Sequence, residues 1–182
     1  TYEKFRIGDK IMYITNDAKK GLNEKQSRVY KELANALKSI IPVLEKFDGK
    51  VINVRLERAI NEVLPGGQKG ISARLMNSYT EKKRIQLFNR NRHYQDGNST
   101  HYVSSDTCYI DVLPGRLNFS ETLSAVKKEI TQLIKYADEL ENACNDVENA
   151  ETEYKNICRM IKEFNKKYHY SIRENLRFTN VY

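Results

Sequence analysis

The sequence predicts an α+β protein with N-terminal helices, a small antiparallel β-sheet built on a hairpin, and long C-terminal heptad-patterned helices. Two observations predict the helices. Apolar residues recur at spacings of three and four from Val29 to Phe47, and again from Leu123 to Ile161. The third observation lies between those blocks, where residues 71–113 alternate and are rich in Val, Thr, Tyr and Ile. These are the periods of helix and strand respectively.

The first helix is expected to begin near Asn23, because "NEKQ" pairs an Asn N-cap with Gln three residues on. Val29, Leu33, Leu37, Ile40, Leu44 and Phe47 then fall on one face. Pro42 removes a backbone donor inside this run, so a kink or break is expected near residue 38. "DGK" at 48–50 reads as a turn, and a shorter helix follows with Leu56, Ile60, Val63 and Leu64 inward, stopped by "PGG" at 65–67.

"ISARLM", "RIQLFNR" and "HYVSSDTCYIDV" supply two or three antiparallel strands, with "QDGNS" as a hairpin turn between the last two. Asn118 and Glu121 are spaced as a capping box for the next helix. From there the seam runs Leu123, Val126, Ile130, Leu133, Ala137, Leu140, Cys144, Val147, Glu151, Tyr154, Cys158 and Ile161, with no Gly or Pro after Gly115. Such a register argues for coiled-coil packing, and one helix of about 45 residues would extend roughly 70 Å. Three Asn within "ENACNDVENAE" weaken helix propensity. The arrangement favoured is therefore a helical hairpin of two antiparallel helices, with a continuous helix as its rival. Residues 1–115 are read as a helical plus β-hairpin part and 116–182 as the long-helix part, together one compact unit.

Composition narrows the function classes. No apolar run approaches 18 residues and the N-terminus has no apolar leader core, so neither a membrane span nor secretion is expected. Cys108, Cys144 and Cys158 are scattered without CxxC spacing, which argues against a disulfide framework and a zinc ribbon and makes a reducing cytoplasm the default. No metal or other cofactor is expected.

The net charge of +7 is a patch rather than a coat. Residues 69–95 hold seven basic groups and one acid, while residues 96–182 are net acidic. On a strand, Arg84, Gln86, Phe88, Arg90 and Arg92 share the face opposite Ile85 and Leu87. Lys82, Lys83, Arg84, Phe88, Arg90 and Arg92 form the candidate nucleic-acid-binding set, the cations taking phosphates and Phe88 stacking on a base. A solvated strand whose arginines pair with the chain's own acids is the plain alternative. From Tyr136 to Tyr154 there are seven acids and no base. Asp138, Glu141, Asp146 and Glu148 on this stretch are the candidate face for a basic protein partner, beside the plain reading of a solvated helix face.

His93, Asp96, Asn98, His101 and Asp106 cluster around the hairpin turn and raise a metal-dependent nuclease or nuclease accessory as an alternative. Their spacing matches no nuclease signature. His169 stands alone and reads as structural or surface. "PGGQKG" lacks the P-loop pattern, and no GxSxG or HExxH is present.

With its basic "KKRIQLFNRNRHY" and the acidic heptads after Leu123, the chain resembles the small anti-CRISPR proteins of phages and mobile elements that inhibit Cas9. The resemblance implies a cytoplasmic, non-catalytic protein that binds guide-loaded Cas9 and blocks target-DNA engagement or cleavage. The group shares no motif, so it assigns no residue roles. The reading reached is a non-catalytic binding protein that inhibits or modulates a nucleoprotein complex. Its partners would be guide RNA or DNA, a nucleic-acid-binding protein such as Cas9, or both, with no membrane. A coiled-coil scaffold or homo-oligomer, resting on the heptads, is the third alternative.

Overall fold

The computed structural model describes residues 2–7, 10–68, 70–80 and 82–171, with side chains from residue 19 onward except residue 147. The heptad position Val147 and residues 172–182 of the C-terminal part lie outside what is described. The chain divides into two compact units, one of Thr1–Lys20 with Asn142–Tyr182 and one of Gly21–Glu141.

In the first unit, β1 (Tyr2–Ile7) and β2 (Lys10–Thr15) form an antiparallel hairpin in which Tyr2 faces Thr15. The sequence pattern predicts no strands before the first helix, so this hairpin is an addition to the expected elements. The helix α1 (Asn16–Lys46) then follows without a break and enters the second unit. It begins a full two turns before the expected Asn23 start. Gly21 sits inside the helix, and the Tyr94 ring occupies the place its Cβ would take.

Pro42 does not break α1 either. A proline inside a helix costs about 3 kcal/mol, through a lost hydrogen bond and a clash one turn back. Here Pro42 and Lys38, one turn back, are both exposed. Leu37, Ile40, Val43 and Leu44 are buried on both sides of it. Burying each such side chain stabilises by about 1.5–3 kcal/mol, which holds the last turns helical.

The second helix, α2 (Val54–Val63), is capped by Asn53, whose side chain accepts from the Arg55 amide at 2.9 Å. Leu56, Ile60 and Leu64 are buried as expected, but Val63 is exposed. The sheet consists of β3 (Ile71–Asn77), β4 (Lys83–Asn89) and β7 (Thr107–Val112), antiparallel and in that order. The "QDGNS" turn does not join two strands of this sheet. It closes a separate small hairpin, β5 (His93–Asp96) with β6 (Ser99–Tyr102), inserted between β4 and β7.

The exposed edge of β3 is covered by side chains. Asn61 of α2 donates to the Ala73 carbonyl and accepts from the Ala73 amide, both at 2.8 Å, and Glu57 accepts from the Leu75 amide at 2.6 Å. An edge strand left bare is a template for foreign strands, and these contacts remove it.

The last helix, α3 (Phe119–Tyr168), is one run of 50 residues, so the expected hairpin at "ENACNDVENAE" is not formed. The N-cap half of its capping box is: Asn118 accepts from the Glu121 amide at 3.2 Å. His169, with φ of 57°, ends the helix in the left-handed region.

Within the second unit the antiparallel partner of α3 is α1. Asp48 accepts from the Phe119 amide at 2.9 Å near one end, and Ser27 donates to Glu141 at 3.1 Å near the other. The early heptads therefore serve an ordinary core. Val126, Ile130 and Leu133 join Val29, Leu33, Leu37 and Ile40 of α1, Leu56 and Ile60 of α2, and Ile71, Ile85, Leu87, Ile110 and Val112 of the sheet. No helix among the described residues is long and apolar enough to cross a membrane.

Candidate nucleic-acid interface

Strand alternation splits the sheet into two faces. The inner face carries Ile71, Ala73, Ile85, Leu87, Cys108, Ile110 and Val112, all buried. The outer face is built of three cross-strand rows. The first is Ser72, Phe88 and Thr107; the second is Arg74, Gln86 and Tyr109; the third is Met76, Arg84 and Asp111. Gln86 alone in these rows is buried, at 4% exposure, while Met76 and Tyr109 stand 36% and 43% exposed.

The outer face is a network of guanidinium groups and rings. Arg74 lies 5.5 Å from the centre of the Phe88 ring and Arg90 lies 5.4 Å from it, while Arg84 lies 5.6 Å from the Tyr109 ring. These distances fall within the range of cation–π attraction. The Arg74 Nε donates to the Gln86 side-chain oxygen at 2.5 Å, and the Gln86 amide nitrogen donates to the Tyr109 hydroxyl at 3.3 Å. Arg84 is tied to Asp111 at 2.5 Å. Arg74 and Arg90 pair with no carboxylate among the described residues, and the Arg90 guanidinium donates to the Gly67 carbonyl at 3.4 Å.

The six residues expected to bind nucleic acid do not all gather here. Phe88 and Arg90 do, and Lys82 is exposed just before β4. Arg84 is on the face but neutralised by Asp111. Arg92 leaves it: its guanidinium pairs with Asp106 at 2.9 Å and lies 5.8 Å from the Tyr102 ring beside the small hairpin. Lys83 points the other way and donates to the Ile52 carbonyl at 3.1 Å. Two residues that complete the cluster, Arg74 and Tyr109, were missed. "ISARLMN" and "TCYIDV" carried the right alternation, but only the register between strands brings Arg74 beside Gln86 and Tyr109 beside Arg84.

The acidic candidates are likewise partly engaged by the chain itself. In the second unit Glu141 accepts from Lys31 at 2.5 Å and from Ser27 at 3.1 Å. These two bonds hold its carboxyl below the usual carboxylate range. In the first unit Glu148 pairs with Lys20. Asp138 and Asp146 are exposed.

The His cluster does not assemble. Tyr94 faces His101 across the β5–β6 hairpin with ring centres 6.4 Å apart, His93 faces Tyr102, and Asp106 is taken by Arg92. Among the described residues no group of three His, Cys, Asp or Glu side chains could hold a metal ion. A cavity of about 360 Å³ opens beside α1, lined by Glu32, Asn35, Ser39, Pro65 and Asn91. Its polar groups serve the fold: Glu32 accepts from Asn89 at 2.6 Å and Asn91 accepts from Lys25 at 2.8 Å.

Cys108 lies on the inner face, where burial, with the nearby Glu129 carboxylate adding to it, pushes its thiol up to about 12. A thiol held that high is not a nucleophile at neutral pH. Compared with protein-family models, curated protein sequences and solved structures, the chain matches none.

Proposed function

We propose that this chain is a non-catalytic binding protein that modulates a nucleoprotein complex by engaging its nucleic acid through the outer face of the β3–β4–β7 sheet. One observation carries the reading. Arg74 and Arg90, two cations without a carboxylate partner among the described residues, converge on the half-buried Phe88 ring of an uncovered sheet. Phosphates supply the missing counter-charge, and release of their condensed counterions drives such contacts. Tyr109 and the guanidinium planes add flat surfaces on which bases stack.

Arg84 and Arg92, already neutralised by Asp111 and Asp106, contribute less charge than the sequence suggests. The guide-loaded Cas9 effector implied by the anti-CRISPR resemblance belongs to the class of complex proposed.

Binding of a labelled oligonucleotide over a salt series tests the reading. Arg74→Ala and Arg90→Ala are each expected to lower the slope of log affinity against log salt by about one. A flat slope for wild type, with no difference between the variants, would falsify the reading. Inhibition of target cleavage by a purified Cas9–guide complex tests the narrower partner.

A second reading rests on the late part of α3. Ile157, Met160, Phe164 and Tyr168 are all exposed at helical spacing, which suits association with another helix. Light scattering at several concentrations checks it, and a monomer throughout removes it.

A further inference from the structure

From the diagonal register of the two outer-face rings we infer that the sheet takes single-stranded nucleic acid, with two consecutive unpaired bases seated on Phe88 and Tyr109. The inference rests on the nucleic-acid reading above and adds the form of the ligand. Phe88 faces Thr107 directly, so Tyr109, two residues along β7, is its diagonal neighbour. Diagonal neighbours on adjacent antiparallel strands stand about 7–8 Å apart. Successive bases within a duplex strand rise by only about 3.4 Å, and their faces are covered by stacking. One base per ring therefore requires a strand whose bases are pulled apart and unpaired, which single strands allow and duplexes do not.

The charge arrangement gives this site a polarity. The Phe88 end carries Arg74 and Arg90, free of carboxylates among the described residues. At the Tyr109 end Arg84 is balanced by Asp111. The phosphates accordingly run past the Phe88 end, while the Tyr109 end offers a ring with little net charge.

Between the rings, both ends of the Gln86 amide are bonded within the protein, the oxygen by Arg74 and the nitrogen to the Tyr109 hydroxyl. Gln86 thus acts as a positioning residue that fixes ring and guanidinium, rather than a reader of base edges. The consequence is tolerance of sequence, since every base offers a flat face.

Fluorescence anisotropy with four ligands of equal length tests this: single-stranded RNA, single-stranded DNA, duplex DNA and an abasic sugar-phosphate strand. Both base-bearing single strands are expected to bind at least about tenfold more tightly than the duplex or the abasic strand. Phe88→Ala and Tyr109→Ala are each expected to weaken single-strand binding by about 5- to 150-fold while leaving abasic binding unchanged. Phe88→Tyr and Tyr109→Phe, which keep a ring, are expected to retain most of the affinity and so control for folding. Equal affinity for abasic and base-bearing strands would overturn the stacking inference yet leave the polyanion reading standing. Ring deletions without effect, beside a loss on Arg74→Ala, would do the same. Binding to none of the four ligands removes both.

Discussion

The two faces of the β3–β4–β7 sheet are written in the same three strands, one residue out of phase, and they obey different chemistry. The inner face presents Ile85, Leu87, Ile110 and Val112 to a core shared with three helices. The outer face presents arginines and two aromatic rings, bridged by the buried Gln86. Apolar contacts on the inner side pack the sheet onto the helices, while the outer side is joined by hydrogen bonds, an ion pair and ring–guanidinium contacts.

The comparison breaks most visibly at adjacent residues of β4. Leu87→Ala is expected to lower the unfolding free energy by about 2–5 kcal/mol, whereas Phe88→Ala is expected to lower it by about 1 kcal/mol or less, as read by urea denaturation. Equal costs would mean the outer face is packed after all. Asp111→Asn sharpens the outer side from the opposite direction. It frees Arg84, so single-strand affinity is expected to rise severalfold and the salt slope to steepen by about one, with titrations at several salt concentrations as the measurement.

The inner layer makes a chemical prediction as well. At pH 8 an alkylating reagent is expected to label the half-buried Cys158 and to spare Cys108, whose thiol burial lifts to about 12. Mass spectrometry of labelled peptides reads the result.

The smallest effect belongs to Glu129 on α3, whose carboxyl is raised by burial, with Lys128 acting against the rise. A raised folded-state value favours the protonated form on folding. Its stabilisation is therefore complete below the ordinary value of 4.5 and lost as pH rises through the folded value. Glu129→Gln is expected to raise the melting temperature slightly at pH 7 and to show no gain below pH 4, by thermal scans at both. A gain of the same size at acid pH would contradict this.

How much of this was legible beforehand follows from which signals are local. The alternation of Ile85 and Leu87 against Arg84, Gln86 and Phe88 is visible in seven consecutive residues, and so was the basic patch. The cap at Asn118 was equally local. Register is not local, so Arg74 and Tyr109 could not be joined to Phe88 from the sequence.

Propensity also misled where packing decided. Asn142, Asn145 and Asn149 each disfavour helix by under about 0.7 kcal/mol, too little to break a run anchored at Leu133, Ala137 and Cys144. Pro42 read as an interruption for the same reason. The heptad positions Val126, Ile130 and Leu133 signalled a buried stripe correctly, but a stripe does not name its partner, which for these three is α1 and the sheet; from Glu151 to Ile161 the seam positions are only half-buried. The pairing of Arg84 and Arg92 with Asp111 and Asp106 was the alternative that composition alone could not exclude.

NMR titration of the labelled protein with a short single-stranded oligonucleotide tests the central claim most directly. The account predicts that ring signals of Phe88 and Tyr109 and side-chain signals of Arg74 and Arg90 shift together and saturate. Methyl signals of Leu87 and Ile110, one residue away on the inner face, should stay in place. Shifts confined to α3 or the β5–β6 hairpin, or none on the outer face, would contradict it.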